Sequence, residues 1–383
     1  MQGSMLRYFT AGESHGRAML ALVDGFPAGV RVDVEAINAE LRRRQGGYGR
    51  GGRQRLEDDA VEVLSGMWRG TTLGSPIALL VPNRDYKIER MEDLDRPRPG
   101  HGDLSGSIKY LTAVRAILER ASARETAARV AAGALAGQLL TEFGIRAFGY
   151  VVQVGPIEVP PKSGTLAEQI ERRGRSELYT LDPHRDAELK AAIDEAGQRG
   201  DTLGGIVEIR VEGVPFGLGT HAQWDRKLDG RLAQAVMAVQ AMKGCEIGLG
   251  FEGAKRPGSE VHDPIRFDPA EQDTRTLGFT RPTNHAGGLE GGMTNAQPIV
   301  LRVAKKPIAT LSRPLESINL RTKQPEEASY ERSDVCAIAA ASCILENVVA
   351  FAVAEALVEK FGGDSLEEMK ARYERFHELA RRH

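Results

Sequence analysis

The pattern of residues 5–149 returns after residue 205, and this recurrence constrains the fold more than any other feature of the chain. Val23-Asp24-Gly25-Phe26-Pro27-Ala28-Gly29 is echoed by Val211-Glu212-Gly213-Val214-Pro215-Phe216-Gly217, each followed by a helix-like run. Gly74-Ser75-Pro76-Ile77-Ala78-Leu79 is echoed by Ala296-Gln297-Pro298-Ile299-Val300-Leu301, and each half closes with a long helix of small residues ending in Phe-Gly. Two related halves would pack strands and helices into one pseudo-symmetric body. Chance likeness of common strand and turn patterns is the alternative.

Within the first half, residues 6–34 read as short strands punctuated by glycine and Pro27. Residues 34–44 form a helix with Val34, Ile37 and Leu41 on its apolar face. A strand pair is expected at 61–64 and 77–81, a polar, proline-rich loop at 83–107, and an alanine-rich helix at 121–140. The second long helix is expected from about 333 to 361. Residues 150–205 read as an excursion whose helix-like segment, 186–199, is solvated surface, and 365–383 as an exposed amphipathic helix.

Composition excludes several function classes. The chain has 383 residues, 27% charged and 41% apolar, as in an ordinary globular protein. Lys plus Arg, 51, nearly equals Asp plus Glu, 53, so nothing global points to nucleic acid or an anionic membrane. The basic set holds 39 arginines against 12 lysines. Arginine's planar fork grips carboxylates and phosphates in two-point contacts, although a base-composition or heat-tolerance bias also explains the overall excess. Three cysteines, Cys245, Cys336 and Cys343, make neither a disulfide framework nor a zinc knot and fit a reducing cytosol. No unbroken apolar run nears the roughly 18 residues of a membrane span, no leader is apparent, and residues 1–4 ahead of Met5 read as an extension. No metal-spaced set of ligands, dinucleotide fingerprint or Walker loop is present.

Six segments could carry chemistry. Gly12-Glu13-Ser14-His15-Gly16 and Arg98-Pro99-Gly100-His101-Gly102-Asp103 each place an imidazole between or beside glycines, where backbone can approach a ligand; a lone histidine is more often an ordinary surface or core residue. Residues 46–53 hold five glycines in eight positions, with Arg42, Arg43, Arg44, Arg50, Arg53 and Arg55 around them. Such a loop is too flexible to keep one shape unless something binds it. It suits a small polyanion; an arginine-glycine RNA loop would want more aromatic rings than the 5% present. Ser122 with Arg120 and Arg124, opening the alanine helix, reads as a phosphate site or as a capping box with Glu125. The glycine-rich run 283–292, followed by Lys305-Lys306-Pro307, suits contact with a flat ring or is a long turn. Arg332-Ser333-Asp334 opens the second long helix, with a cap and an acid that can also act as a base.

In this order the segments closely resemble the chorismate synthase family. The resemblance rests on Arg7-Tyr8-Phe9-Thr10-Ala11-Gly12-Glu13-Ser14-His15-Gly16, Arg44 with 46–53, 98–103, 120–129, Asn284-His285-Ala286-Gly287-Gly288 and Arg332-Ser333-Asp334. Gly102 stands where the family usually has alanine, and Gln240-Ala241 where some members have Asn-Ala. The resemblance implies an α+β fold, a β-α-β sandwich with helices packed between antiparallel-rich sheets. It implies one catalytic domain over 5–362, with halves 5–149 and 206–362, excursion 150–205, and a C-terminal helix in 363–383. It implies 1,4-anti elimination of phosphate from 5-enolpyruvylshikimate 3-phosphate to give chorismate, with reduced FMN as a catalytic cofactor and no net redox change. NADPH would enter only as a source of reduced flavin. By the same resemblance His15, His101 and Asp334 are catalytic, and Arg44, Arg50, Arg53, Arg98, Arg124 and Arg332 bind substrate. Arg120, Ala121, Ser122, Gln240, Ala241, Gly291, Lys306, Pro307, Ile308, Ala309, Thr310 and Arg332 contact FMN. The implied protein is a cytoplasmic homotetramer that binds no metal, nucleic acid or membrane.

Overall fold

The computed structural model describes residues 6–51, 58–331 and 333–383. Two antiparallel sheets enclose two long helices. The first sheet runs in the order Arg7–Ala11, Ala18–Asp24, Ile77–Pro82, Glu62–Val63, and the second in the order Met242–Ile247, Ile299–Lys305, Gly205–Glu212, Arg146–Val154, Ile157–Glu158. Strict alternation sets the inward faces. Met19, Ala21 and Val23 are buried from one strand of the first sheet, Ile77, Leu79 and Val81 from its neighbour, and Ile299, Leu301 and Val303 from the second sheet.

Between the sheets the helices Thr126–Thr141 and Ile338–Phe361 pack on each other, the former facing the first sheet and the latter the second. Their alanine content follows from this position, because a helix buried all round needs small residues for close approach. Gly133 is the tightest point, where an added Cβ would lie 2.2 Å from the Asn347 carbonyl oxygen. Gly133→Val therefore forces the helices apart, and thermal denaturation should show a loss of about 1–3 kcal/mol, the usual cost of overpacking. An unchanged melting temperature would mean that this contact is loose.

The expected absence of a membrane-length segment holds only for unbroken apolar runs. The 24-residue helix Ile338–Phe361 is long and apolar enough to span, but 89% of its most apolar stretch is buried within the fold. Several other expectations also change. The 121–140 helix breaks at Ser122 into Val114–Ala121, a single 3-10 turn and Thr126–Thr141. Ser122 caps that turn through the Arg124 N–H, while the Glu125 carboxylate takes Thr10, Gln240 and Arg129, so no capping box forms there. The loop expected at 83–107 ends in a helix, Asp103–Tyr110. The second long helix begins at Ile338, so Asp334 precedes it instead of capping it.

The excursion is integral to the body. Its strands, Arg146–Val154 and Ile157–Glu158, complete the second sheet, and the helix Asp186–Gln198 buries Leu189, Ile193 and Ala196 instead of being purely solvated. Arg173 pairs with Glu346 at 2.6 Å, tying the helix Leu166–Arg175 to the central helix. The terminal helix Leu366–Ala380 carries a capping box of Ser365 and Glu368, as its amphipathic sequence suggests, and buries Met369 and His377.

Candidate active site

A cavity of about 800 Å³ lies against the starts of both central helices and the strand ends at Met242 and Lys305. Gly12 shapes one edge. At φ +105°, with a would-be Cβ 2.2 Å from the Ala18 carbonyl oxygen, the turn after Arg7–Ala11 admits only glycine. It leads into Ser14 and His15, both buried, on a loop clamped by Asn83 Nδ2 donating to the carbonyls of Glu13, Ser14 and Gly16. The His15 N–H donates to Glu119 Oε2 at 2.7 Å, and its Nδ1 lies 2.9 Å from Oε1, which leaves Nε2 toward Asp85 at 3.7 Å. Burial pushes the Glu119 carboxyl up, but the hydrogen bonds from His15 outweigh it and hold the group below its usual range.

His101 is held in the same way. Its Nδ1 lies 2.5 Å from Asp103 Oδ1, and Asp103 also receives Arg98 Nε at 2.8 Å and the Arg98 N–H at 3.0 Å. Burial raises the Asp103 carboxyl; the His101 and Arg98 hydrogen bonds more than reverse this and keep it ionised far below the ordinary carboxylate range. Arg98 Nη1 reaches Thr310 Oγ1 at 2.8 Å, and Lys306 Nζ bonds the Gly100 carbonyl, so segments 98–103 and 306–310 form one wall.

The arginine wall is organised by an acid that the sequence did not single out. Asp59, 1% exposed, binds Arg44 Nη2 at 2.7 Å through one oxygen and Arg124 Nη1 at 2.6 Å through the other. Burial raises its carboxyl, and the two guanidinium groups together bring it below the usual range. Arg50 Nη1 lies 2.9 Å from Asp334 Oδ2, while Asp334 Oδ1 accepts the Gly51 N–H at 2.6 Å. Over its described part, 46–51, the glycine loop is bonded to distant segments. The Gly49 carbonyl accepts from Val335 and Cys336, and Tyr48 bonds the Glu177 carbonyl through its N–H and Asp194 through its hydroxyl.

His15, His101 and Asp334 all line this cavity, together with Arg44, Arg50, Arg98 and Arg124. So do Ala121, Ser122, Gln240, Ala241 and the run Lys306, Pro307, Ile308, Ala309 and Thr310. Two expected residues lie elsewhere. Arg120 is exposed and spends its guanidinium on the carbonyls of Gly12 and Thr10, and Gly291 sits in the exposed turn between Leu289–Glu290 and Met293–Asn295. Arg53 and Arg332 fall outside the described residues. Glu119 and Asp59 are acids of the site that the sequence did not signal: each is an ordinary acid in a charged stretch, and its partner's side chain alone marks it; Asp103 was visible only as the end of the segment 98–103. Among the described residues, no group of three or more His, Cys, Asp or Glu is placed to hold a metal.

Two carboxylate-held imidazoles beside clustered guanidinium groups define an acid–base site for a small polyanion. The chorismate synthase family model matches residues 6–358. The chorismate synthase of Geobacter metallireducens is 52% identical, over 97% of this chain and 98% of the relative. That of Symbiobacterium thermophilum is 53% identical, over 95% and 96%. A crystal structure of a chorismate synthase superposes with a TM-score of 0.81 at 43% identity, covering 99% of both chains. The chain belongs to the chorismate synthase family.

Proposed function

We propose that this cavity is where the chain carries out the family's reaction. Chorismate synthases are lyases of the shikimate pathway that convert 5-enolpyruvylshikimate 3-phosphate to chorismate, on the way to aromatic amino acids. The reaction releases phosphate with its C–O electron pair and a proton from C6, which leaves a second ring double bond. The observation that carries the reading is the pair of histidines, each with Nδ1 on a buried carboxylate, in one cavity with Arg44, Arg50, Arg98 and Arg124.

The division of labour follows from charge. The substrate carries two carboxylates and a phosphate, and burying it requires matched cations, which the arginine wall supplies. Glu119 holds the His15 ring so that Nε2 can deliver a proton to the departing phosphate, which lowers that group's charge as the bond breaks. Asp103 holds His101 similarly, as a proton donor beside the cofactor's ring. Asp334 assists removal of the C6 proton.

The cavity fits reduced FMN. Its wall carries buried polar atoms that have no partner among the described residues, Gln240 Oε1, Arg44 Nε and Arg50 Nε, and an apolar floor of Ala337, Ala340, Ala341 and Ile344 suits a flat ring. Ala121, Ser122, Gln240, Ala241 and 306–310 would hold it, with Arg332 nearby in sequence. When bound, the reduced flavin supplies electron density to the breaking C–O bond and is not consumed, while the protein supplies placement and charge. NADPH serves only to regenerate reduced flavin. Arg120 and Gly291, away from this cavity, would reach a flavin only through movement or a neighbouring chain.

Arg50 is placed as a substrate clamp. Arg50→Ala should weaken substrate binding about tenfold or more, as expected for loss of a charge-assisted contact, and leave FMN binding nearly unchanged. Equal weakening of both ligands in parallel titrations would contradict that role. We also infer a cytoplasmic homotetramer. The exposed Leu104, Ile108, Tyr110 and Leu111 beside the site, and Trp224 and Phe251, are surfaces that association would cover. Light scattering should then give four times the 41.6 kDa chain mass. The halves 5–149 and 206–362 of the single domain 5–362 are read as related units, since each supplies one of the two central helices and antiparallel strands that pack on it.

The test of the function is product analysis under anaerobic conditions. With pre-reduced FMN, 5-enolpyruvylshikimate 3-phosphate should yield chorismate and phosphate in equal amounts, and without flavin neither. Phosphate release without chorismate would indicate a phosphatase and overturn the reading.

A further inference from the structure

The strand Ile299–Lys305 ends with a cation where its alternation calls for an apolar side chain. Ile299, Leu301, Val303 and Lys305 share the inward face; the first three are fully buried and Lys305 is 8% exposed. Its ammonium lines the cavity and makes one long hydrogen bond, 3.3 Å, to the carbonyl of Lys306. Among the described residues it has no ion pair. Asp334, a carboxylate whose charge bears on it, is already engaged on both oxygens by Arg50 and the Gly51 N–H.

A buried ammonium without a countercharge is costly, and a methionine or leucine would fill this strand position without that cost. The cavity wall around it compounds the imbalance. Arg44 and Arg124 both pair with the carboxylate of Asp59, and Lys306, which bonds the Gly100 carbonyl, adds a further cation. An anion on the bound molecule would supply the countercharge that Lys305 lacks among the described residues. We propose that Lys305 is a ligand-binding residue of this cavity, pairing with an anionic oxygen of the bound molecule.

This rests on the reading of the cavity as the family's active site and goes beyond it, because Lys305 belongs to none of the segments that carry the family resemblance as site residues. The anionic oxygen has two sources there, a carboxylate or phosphate of the substrate and the oxygen-bearing edge of the reduced flavin. Burial pushes the Lys305 pKa down, Cys336 and Asp334 oppose this, and Arg50 and Lys306 add to it. An arriving anion favours the charged form, so binding takes up a proton wherever the free lysine is partly neutral.

The experiment compares wild type, K305M and K305R, with substrate and reduced FMN titrated separately by anaerobic calorimetry and wild-type turnover measured in parallel. K305M should lose about tenfold or more in affinity for one ligand, the one bearing the partner oxygen, and bind the other as wild type does. K305R should keep most of the affinity because it keeps the charge. Loss confined to the substrate assigns the lysine to a substrate carboxylate or phosphate; loss confined to FMN assigns it to the flavin. K305M should melt no lower than wild type, since it removes an uncompensated buried charge. K305Q, which keeps a polar head, is read by the same criteria if K305M does not fold. Affinities within twofold of wild type for both ligands, in a protein whose wild type turns over, overturn the role of Lys305 alone. Failure of the wild type to turn over with both ligands bound overturns the active-site reading beneath it.

Discussion

Replacing His15 by alanine slows turnover about a hundredfold or more while FMN still binds, the range expected when a positioned acid is lost. The expectation rests on how completely this ring is held. Its Nδ1 and its own backbone N–H both engage Glu119, which is 2% exposed, and Asn83 fixes the loop from three carbonyls. Only Nε2 is left to face the cavity. Alanine removes the proton donor, leaves the Glu119 carboxylate with the backbone N–H but without the ring, and touches none of the apolar floor on which a ring would lie. His101→Ala has an equivalent effect, since His101 sits on Asp103 in the same arrangement. Stopped-flow measurement of product formation with pre-reduced flavin checks both. A rate near that of wild type removes the residue concerned from the chemistry.

Asp59→Ala produces a large loss of stability, about 3–5 kcal/mol, because it removes the carboxylate that two buried guanidinium groups share. Arg44 and Arg124 are 3% and 7% exposed, and Asp59 is their shared anion. Denaturant titration measures the effect, and a change below about 1 kcal/mol would mean that water or neighbouring groups already balance these charges. The same acid links stability to pH. The carboxyls of Asp59, Asp103 and Glu119 all titrate lower in the folded protein than in the unfolded chain. Their stabilisation is therefore fully present above the unfolded values of about 4 and is lost as pH falls through the folded ones. Stability should vary little between pH 7 and pH 5 on their account and fall steeply below about pH 4, with a shallower fall in Asp59→Asn.

The fold was legible wherever a period spoke clearly. The strand expected at 77–81 is Ile77–Pro82, its echo at 296–301 falls on Ile299–Lys305, and the small-residue runs located both central helices. Helix starts were misplaced because caps were assigned by residue type. Ser122 and Ser333-Asp334 look like caps, yet Ser122 closes a 3-10 turn bonded to Ser14, and Asp334 is occupied by Arg50 and Gly51. The partners of the glycine loop's described residues, 46–51, lie in distant segments, 177, 194 and 334–336, that no local composition reveals.

At the site, the histidines and arginines were visible because glycine and proline set them apart. The acids that hold them were not. Glu119 lies 104 residues from His15, and nothing in its helix distinguishes it from a solvated glutamate. Asp59 stands beside an exposed Asp58 that pairs with Arg84. Lys305 was noticed only as part of a basic pair, although a lysine at the inward phase of an apolar strand is a signal that alternation could have raised.

The central claim is that phosphate leaves without the flavin being spent. It is tested most directly by counting turnovers under strict anaerobiosis, with substrate in large excess over enzyme-bound reduced FMN and no hydride donor present. The account predicts many equivalents of chorismate per flavin, with the flavin spectrum still that of the reduced form when substrate is exhausted. Product that stops at one equivalent, with the flavin oxidised in step, would contradict it.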